Sequence, residues 1–230
     1  MSVVAASTRL LIIESAERLI AERGVNGVSL REIAAEADQR NTSAVAYHFG
    51  AKEALVDAVF EHRMTPVNDR RLALLEELDA RRQGRTLRGL VEAFTYPFAE
   101  NLGEPGRPSW YLRFCVQAAY VEGSAPTNLN RQSWTIGSAL VRRRALEVLQ
   151  EGGIPEALVE DRWDLVGSHI AHALAGRELV THLAPQRAQT PRDLFLSHLI
   201  DTATAIAAAP VSSDTVTALE SRRLESRRLA

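Results

Sequence analysis

The 230-residue chain has little of what builds covalent or metal frameworks. Its one cysteine, Cys115, permits no intramolecular disulfide, which fits a reducing compartment. Its one lysine is Lys52, and the formal net charge is -2 with a pI of about 6.3. The global basic surplus common in nucleic-acid binders is therefore missing, and any DNA-facing charge must be local. Leu10 to Ile13 are cut off by Glu14, and no basic region precedes a long apolar run. Neither a signal peptide nor a membrane span is expected, and a cytoplasmic location is the default. Strand-type alternation competes nowhere. Also missing are Gly-x-Ser-x-Gly, a phosphate loop, His-Glu-x-x-His and the Glu-x-x-His pair of di-iron bundles. No enzymatic activity and no cofactor are expected.

What the chain does have is helical periodicity. Ser7 to Arg23 predicts an amphipathic helix with Ser7 as N-cap, an apolar face of Leu11, Ala16, Leu19 and Ile20, and a stop at Gly24. Ser29-Leu-Arg-Glu32 is a capping box, in which the serine satisfies an orphan amide and the glutamate reaches back to the cap. It opens a short helix with Leu30, Ile33, Ala34 and Ala37 on one face. Asp38 to Arg40 make a turn, and Asn41 can cap a third helix, Thr42 to His48, that ends at Gly50. Two short helices joined by a tight turn and braced by a longer first one form a helix-turn-helix head.

The stretch from Gln39 to Lys52 holds Arg40, His48 and Lys52, several hydrogen-bonding side chains and no Asp or Glu. This is so although residues 1–63 carry seven basic against nine acidic side chains. A polar, acid-free helix in an acidic head is either a solvated surface helix or a DNA-reading one. Arg40, Asn41, Thr42 and Ser43 at its start can reach base edges or phosphates, and Tyr47 and His48 follow them. Lys52 adds a charge to a helix terminus whose amides favour phosphate. Val45 and Phe49 belong to packing, and His48 can pack or cap as well as touch DNA.

The head resembles the tetracycline-repressor (TetR) family of bacterial transcription regulators. The matching residues are Thr8-Arg9, Gly24, Ser29-Leu30, Ile33-Ala34, Tyr47-His48-Phe49, Lys52-Glu53 and Leu55. The resemblance covers roughly Ser7 to Phe60 and implies that Arg31, on the second helix, also contacts DNA backbone. Three departures stand out. The turn before the third helix is one residue longer than usual, Ala46 stands where a phosphate-touching tyrosine is common, and Ala51 replaces a capping serine or asparagine. The last change costs about 1 kcal/mol of helix stability.

Further helices are predicted over Lys52 to Asp79, interrupted or kinked at Pro66, and after Thr86, with Pro97 limiting regularity. Others are predicted over Trp110 to Val121, Asn130 to Glu151, Pro155 to Leu183, and from Pro191 to before Pro210. The resemblance makes this body an effector-sensing and dimerising domain, with the last two helices of each subunit forming a four-helix interface. Eight of thirteen aromatics lie between Phe94 and Trp134. Phe94, Phe98, Trp110, Arg113, Phe114, Gln117 and Trp134 are therefore the candidate ligand residues, an apolar cavity with a few polar groups. An ordinary aromatic core is the alternative, and Arg113 can equally serve a structural ion pair. His169 and His172, three apart, have no third ligand at convincing spacing, so no metal site is expected. After Pro210 Glu-Ser-Arg-Arg-Leu is written twice in a polar stretch that promises disorder or a frayed helix.

The expected protein is an all-α homodimer. Residues 1–51 would be a three-helix helix-turn-helix DNA-binding domain, 52–210 a larger helical effector-binding and dimerisation domain, and 211–230 a tail. Its partners would be a double-stranded DNA operator, a small, largely apolar effector and a second copy, and no membrane. The competing expectation is a helical ligand-binding or scaffold protein without DNA affinity.

Overall fold

The computed structural model describes residues 3–38, 43–104, 109–119, 135–184, 186 and 190–229. Among them are ten helices. The first three are α1 (Val3–Arg23), α2 (Leu30–Glu36) and α3 (Ser43–Phe49). The next four are α4 (Lys52–Ala80), α5 (Leu87–Ala99), α6 (Tyr111–Ala119) and α7 (Ile136–Glu151). Last come α8 (Glu156–Leu183), α9 (Arg192–Ala208) and α10 (Ser213–Leu229).

The head closes where the sequence punctuates it. Gly24 and Gly50 both adopt left-handed φ, +76° and +73°, and each donates its amide to a carbonyl four residues back. The capping box forms in full: the Glu32 amide donates to Ser29 Oγ at 3.2 Å and the Ser29 amide donates to Glu32 Oε2 at 2.8 Å. Ile12, Ile20, Ile33, Val45 and Leu55 meet in the centre of the head, all buried. The match is imperfect at the start. α1 begins at Val3, so Ser7 lies within a helix and does not cap one.

The interruption expected at Pro66 does not occur, and the helix expected to carry Phe98 past Pro97 does so. α4 runs unbroken through Pro66, and α5 continues past Pro97 to Ala99. Pro66 is on the exposed side of α4, where the carbonyl that loses its donor, His62, is also exposed and open to water. Pro97 is buried, and the Ala93 carbonyl it deprives of a donor accepts instead from Arg71 Nε at 3.1 Å. A side chain from α4 thus repairs a break in α5.

α6 is the hub between head and body, packing on α1 and on α8, while α8 and α9 pack together and α5 lies against α9, α4 and α7. The aromatic centre is continuous from Phe60 to Phe114 (5.0 Å between ring centroids), then to Tyr111 and on to Phe98 (6.1 Å each). Phe94 meets Trp163 edge-on at 5.9 Å. After Pro210, where disorder or a frayed helix is expected, the chain is helical: α10 has Ser212 Oγ accepting the Thr215 amide and a run of good helix formers behind it. Its residues through Arg222 are nonetheless almost all exposed. No single helix among the described residues is long and apolar enough to cross a membrane.

Candidate nucleic-acid interface

α3 has two unlike sides. Val45 is completely buried, whereas Tyr47, two residues on, is 84 % exposed with its ring edge-on to His48 at 5.2 Å. Phe49 is half-buried, and the Arg9 guanidinium from α1 stacks over its ring at 5.2 Å. Arg31 is exposed on α2, and Lys52 is the first residue of α4. Ala51, the N-cap of α4, has no side-chain bond to offer, so the first amides of that helix remain available to an anion. Ser43 opens α3. Arg40, Asn41 and Thr42 lie outside the described residues.

The acidic balance of the head is resolved locally. Arg18 pairs with Glu36, Arg23 Nη1 with Glu32 Oε1 at 3.2 Å, and Arg63 holds Glu17 through two bonds of 2.7 and 3.0 Å. These pairs join α1 to α2 and α1 to α4. Glu32 is held below the usual carboxylate range, first by the Ser29 amide, then by the Ser29 hydroxyl, with Arg23 and Lys52 adding positive charge. Among the described residues none of Arg9, Arg31 and Lys52 is in an ion pair. The sequence offers Arg9 only as part of the family pattern; its place against α3 depends on helix packing that no local signal encodes.

The body residues separate. Phe98 and Phe114 are core, Phe94 and Trp110 are half-buried, Gln117 is exposed and close to Gly24, and Trp134 lies outside the described residues. Arg113 is engaged from several sides. Its Nε donates to Glu178 Oε2 at 3.2 Å, its Nη2 to His182 Nδ1 at 2.5 Å, and its guanidinium lies over Trp110 at 4.6 Å. Glu178 also accepts the amides of Leu112 and Arg113 at the start of α6, so it caps that helix from α8. Burial raises the Glu178 pKa despite these bonds. Burial first, then the Arg113 charge, lowers that of His182. His169 Nε2 meets Thr202 Oγ1 at 2.9 Å and His172 Nδ1 meets the Ser168 carbonyl at 2.8 Å. Among the described residues no group of three potential ligands assembles around them.

A helical head whose short third helix is anchored by one side and offers aromatic and basic groups on the other is a helix-turn-helix DNA-binding module. Residues 12–59 match the family model described as bacterial regulatory proteins, tetR family. The chain carries a TetR-family N-terminal helix-turn-helix domain there, and such a domain implies a transcriptional regulator. Regulators of this family are not enzymes. Comparison with curated proteins finds no match to the chain.

Proposed function

We propose that this regulator is a homodimeric repressor, released from its operator by a small, largely apolar effector. The observation that carries the DNA-reading assignment is the contrast across α3. Tyr47 stands 84 % in solvent two residues from the fully buried Val45, which leaves its ring open to a partner outside the chain. Tyr47, His48 and Ser43, with Arg40, Asn41 and Thr42 before them, are assigned to the DNA surface, and Arg31 and Lys52 to phosphates on either side. Positioning by phosphates and discrimination by base edges divide the labour.

Residues 1–51 then form the DNA-binding domain and 52–210 the effector and dimerisation domain, with α4 spanning the boundary as one helix. The dimer contact is assigned to the outer face of α8 and α9. There Leu165 (60 % exposed), Leu183 (76 %) and Leu194 leave apolar surface in solvent, and Leu165, Ser168, His172 and Ile206 line an open groove. Two heads so joined would read half-sites of a near-palindromic operator. An effector that favours a body conformation with mismatched head spacing releases the DNA, and by linkage DNA weakens effector binding by the same factor.

The test is retention of the full-length protein on DNA from upstream of its own gene at rising salt. Salt-dependent retention that a subset of fragments survives supports the proposal; absence of retention at low salt sinks it.

A further inference from the structure

We infer that the effector carries an anionic group, a carboxylate on an apolar body, and that Arg71 is its anchor. This rests on the effector proposal above and narrows its ligand class. Arg71, on α4, is 1 % exposed, yet its guanidinium faces only neutral acceptors. Nε donates to the Ala93 carbonyl at 3.1 Å, Nη1 to Ser138 Oγ at 2.6 Å and Nη2 to the Phe94 carbonyl at 3.3 Å, and the cation lies 5.4 Å from the Phe94 ring centroid. Among the described residues no carboxylate is within ion-pair distance of it.

A buried charge is normally paired, because removing an ion from water without a counter-charge is costly. Burial accordingly lowers the Arg71 pKa to about 10, which still leaves it charged at neutral pH. The duty to Ala93 explains one of its five N–H groups and none of its charge: a neutral amide could satisfy a carbonyl orphaned by Pro97. A guanidinium, by contrast, offers a two-pronged fork that fits a carboxylate. A second buried group points the same way. Among the described residues the Tyr111 hydroxyl, completely buried beside the Cys115 thiol, makes no well-formed hydrogen bond, and it lies near Arg71 as a neutral phenol. The surroundings are aromatic, with Phe94 against Trp163 and Phe98 against Tyr111. Phe94 and Ser138, which cover the guanidinium, are themselves only half-buried, so the cation is one side-chain layer below solvent.

The test uses the full-length protein with cinnamate, phenylacetate and decanoate, each beside its uncharged amide, read by thermal shift and calorimetry. At least one acid should bind while its amide does not. Arg71→Gln, which keeps a donor and loses the charge, should weaken that acid by about tenfold or more, and Arg71→Lys should retain part of the binding. Equal binding of acid and amide, an acid indifferent to Arg71→Gln, or no acid binding to the wild type would overturn the inference. If Arg71→Gln does not fold, judged by circular dichroism, the acid–amide difference in the wild type and its reduction in Ser138→Ala decide in its place. Retention on upstream DNA is measured in parallel. Retention without acid-specific binding refutes the anion site and leaves the regulator standing, whereas acid binding with unchanged retention supports the site and refutes its coupling to the head.

Discussion

Glu17 in the head and Arg71 in the body are both charged side chains placed on the apolar stripe of a helix, and the fold treats them oppositely. Glu17 falls among Ile13, Ala16 and Ile20, is 2 % exposed, and is met by both prongs of Arg63. Arg71 falls among Met64, Val67, Leu75 and Leu78 and is met by carbonyls and a hydroxyl. A paired buried charge braces α1 against α4, the scaffold on which α2 and α3 are mounted. An unpaired one is a standing cost that close packing alone does not require. The difference teaches where rigidity is built in and where the body is arranged to receive something.

Stability measurements can break that comparison. Arg63→Ala leaves Glu17 buried without its counter-charge and should cost about 3 kcal/mol in urea unfolding, the largest effect expected from any single change discussed. Arg71→Met strands no opposite charge and removes a desolvation cost, against which stands the orphaned Ala93 carbonyl. It should lie within about 1 kcal/mol of wild type. If the two variants prove equally destabilised, Arg71 is a structural residue like Arg63, and the contrast between the regions is lost.

The body's second charged cluster sharpens the point through pH. Arg113 donates to His182 Nδ1, which puts the imidazole proton on Nε2, and that atom is buried without a partner among the described residues. The fold therefore prefers neutral His182, with Arg113 on α6 opposing protonation and Glu22 on α1 favouring it. A histidine with a lowered pKa contributes full stability above the unfolded value of about 6.5, and that contribution falls as pH drops through it toward the folded value. Glu178, whose pKa is raised, has the reverse sign: its ionisation costs stability as pH rises above the ordinary carboxylate range. His182→Gln should flatten the loss of stability between about pH 7 and 5. An unchanged slope would mean that the imidazole is not held neutral. The effect should be smaller than that of Arg63→Ala, since the group is only partly buried.

Much of the head is legible in sequence because its determinants are local. A capping box, two glycines at positive φ and a 3.6-residue stripe each act within a few residues, and together they fix the end of α1, the start of α2 and the end of α3. The body is less so. Its helices follow from their periods, but whether a proline breaks a helix depends on what lies beside it. Pro66 is answered by solvent and Pro97 by Arg71 from another helix. Aromatic density marks an apolar region but not the polar group within it. Arg71 sits in the run Asp69-Arg70-Arg71, which looks like a solvated face. The signal that finds it is positional: Arg71, Glu17 and Glu178 are charged residues where the helical stripe calls for an apolar one. In the head the stripe's interruption has a partner 46 residues away, and no local rule links the two.

Lys52 offers the finest test of the comparison, because it represents a third kind of charge, neither paired like Glu17 nor buried like Arg71. It stands at the first residue of α4, beside an N-cap that supplies no side-chain bond, and its charge reaches Glu32 without forming an ion pair with it. If it serves phosphate, Lys52→Ala removes one released counterion. Affinity then falls for every DNA sequence alike, and the slope of log affinity against log salt shrinks by about 1. Folding stability should shift by less than about 0.5 kcal/mol, as for an ordinary surface substitution. Should stability instead fall toward the Arg63→Ala value with the salt slope unchanged, Lys52 belongs to the bracing of the head through Glu32. The positive field at α3 would then rest on Arg9 and Arg31.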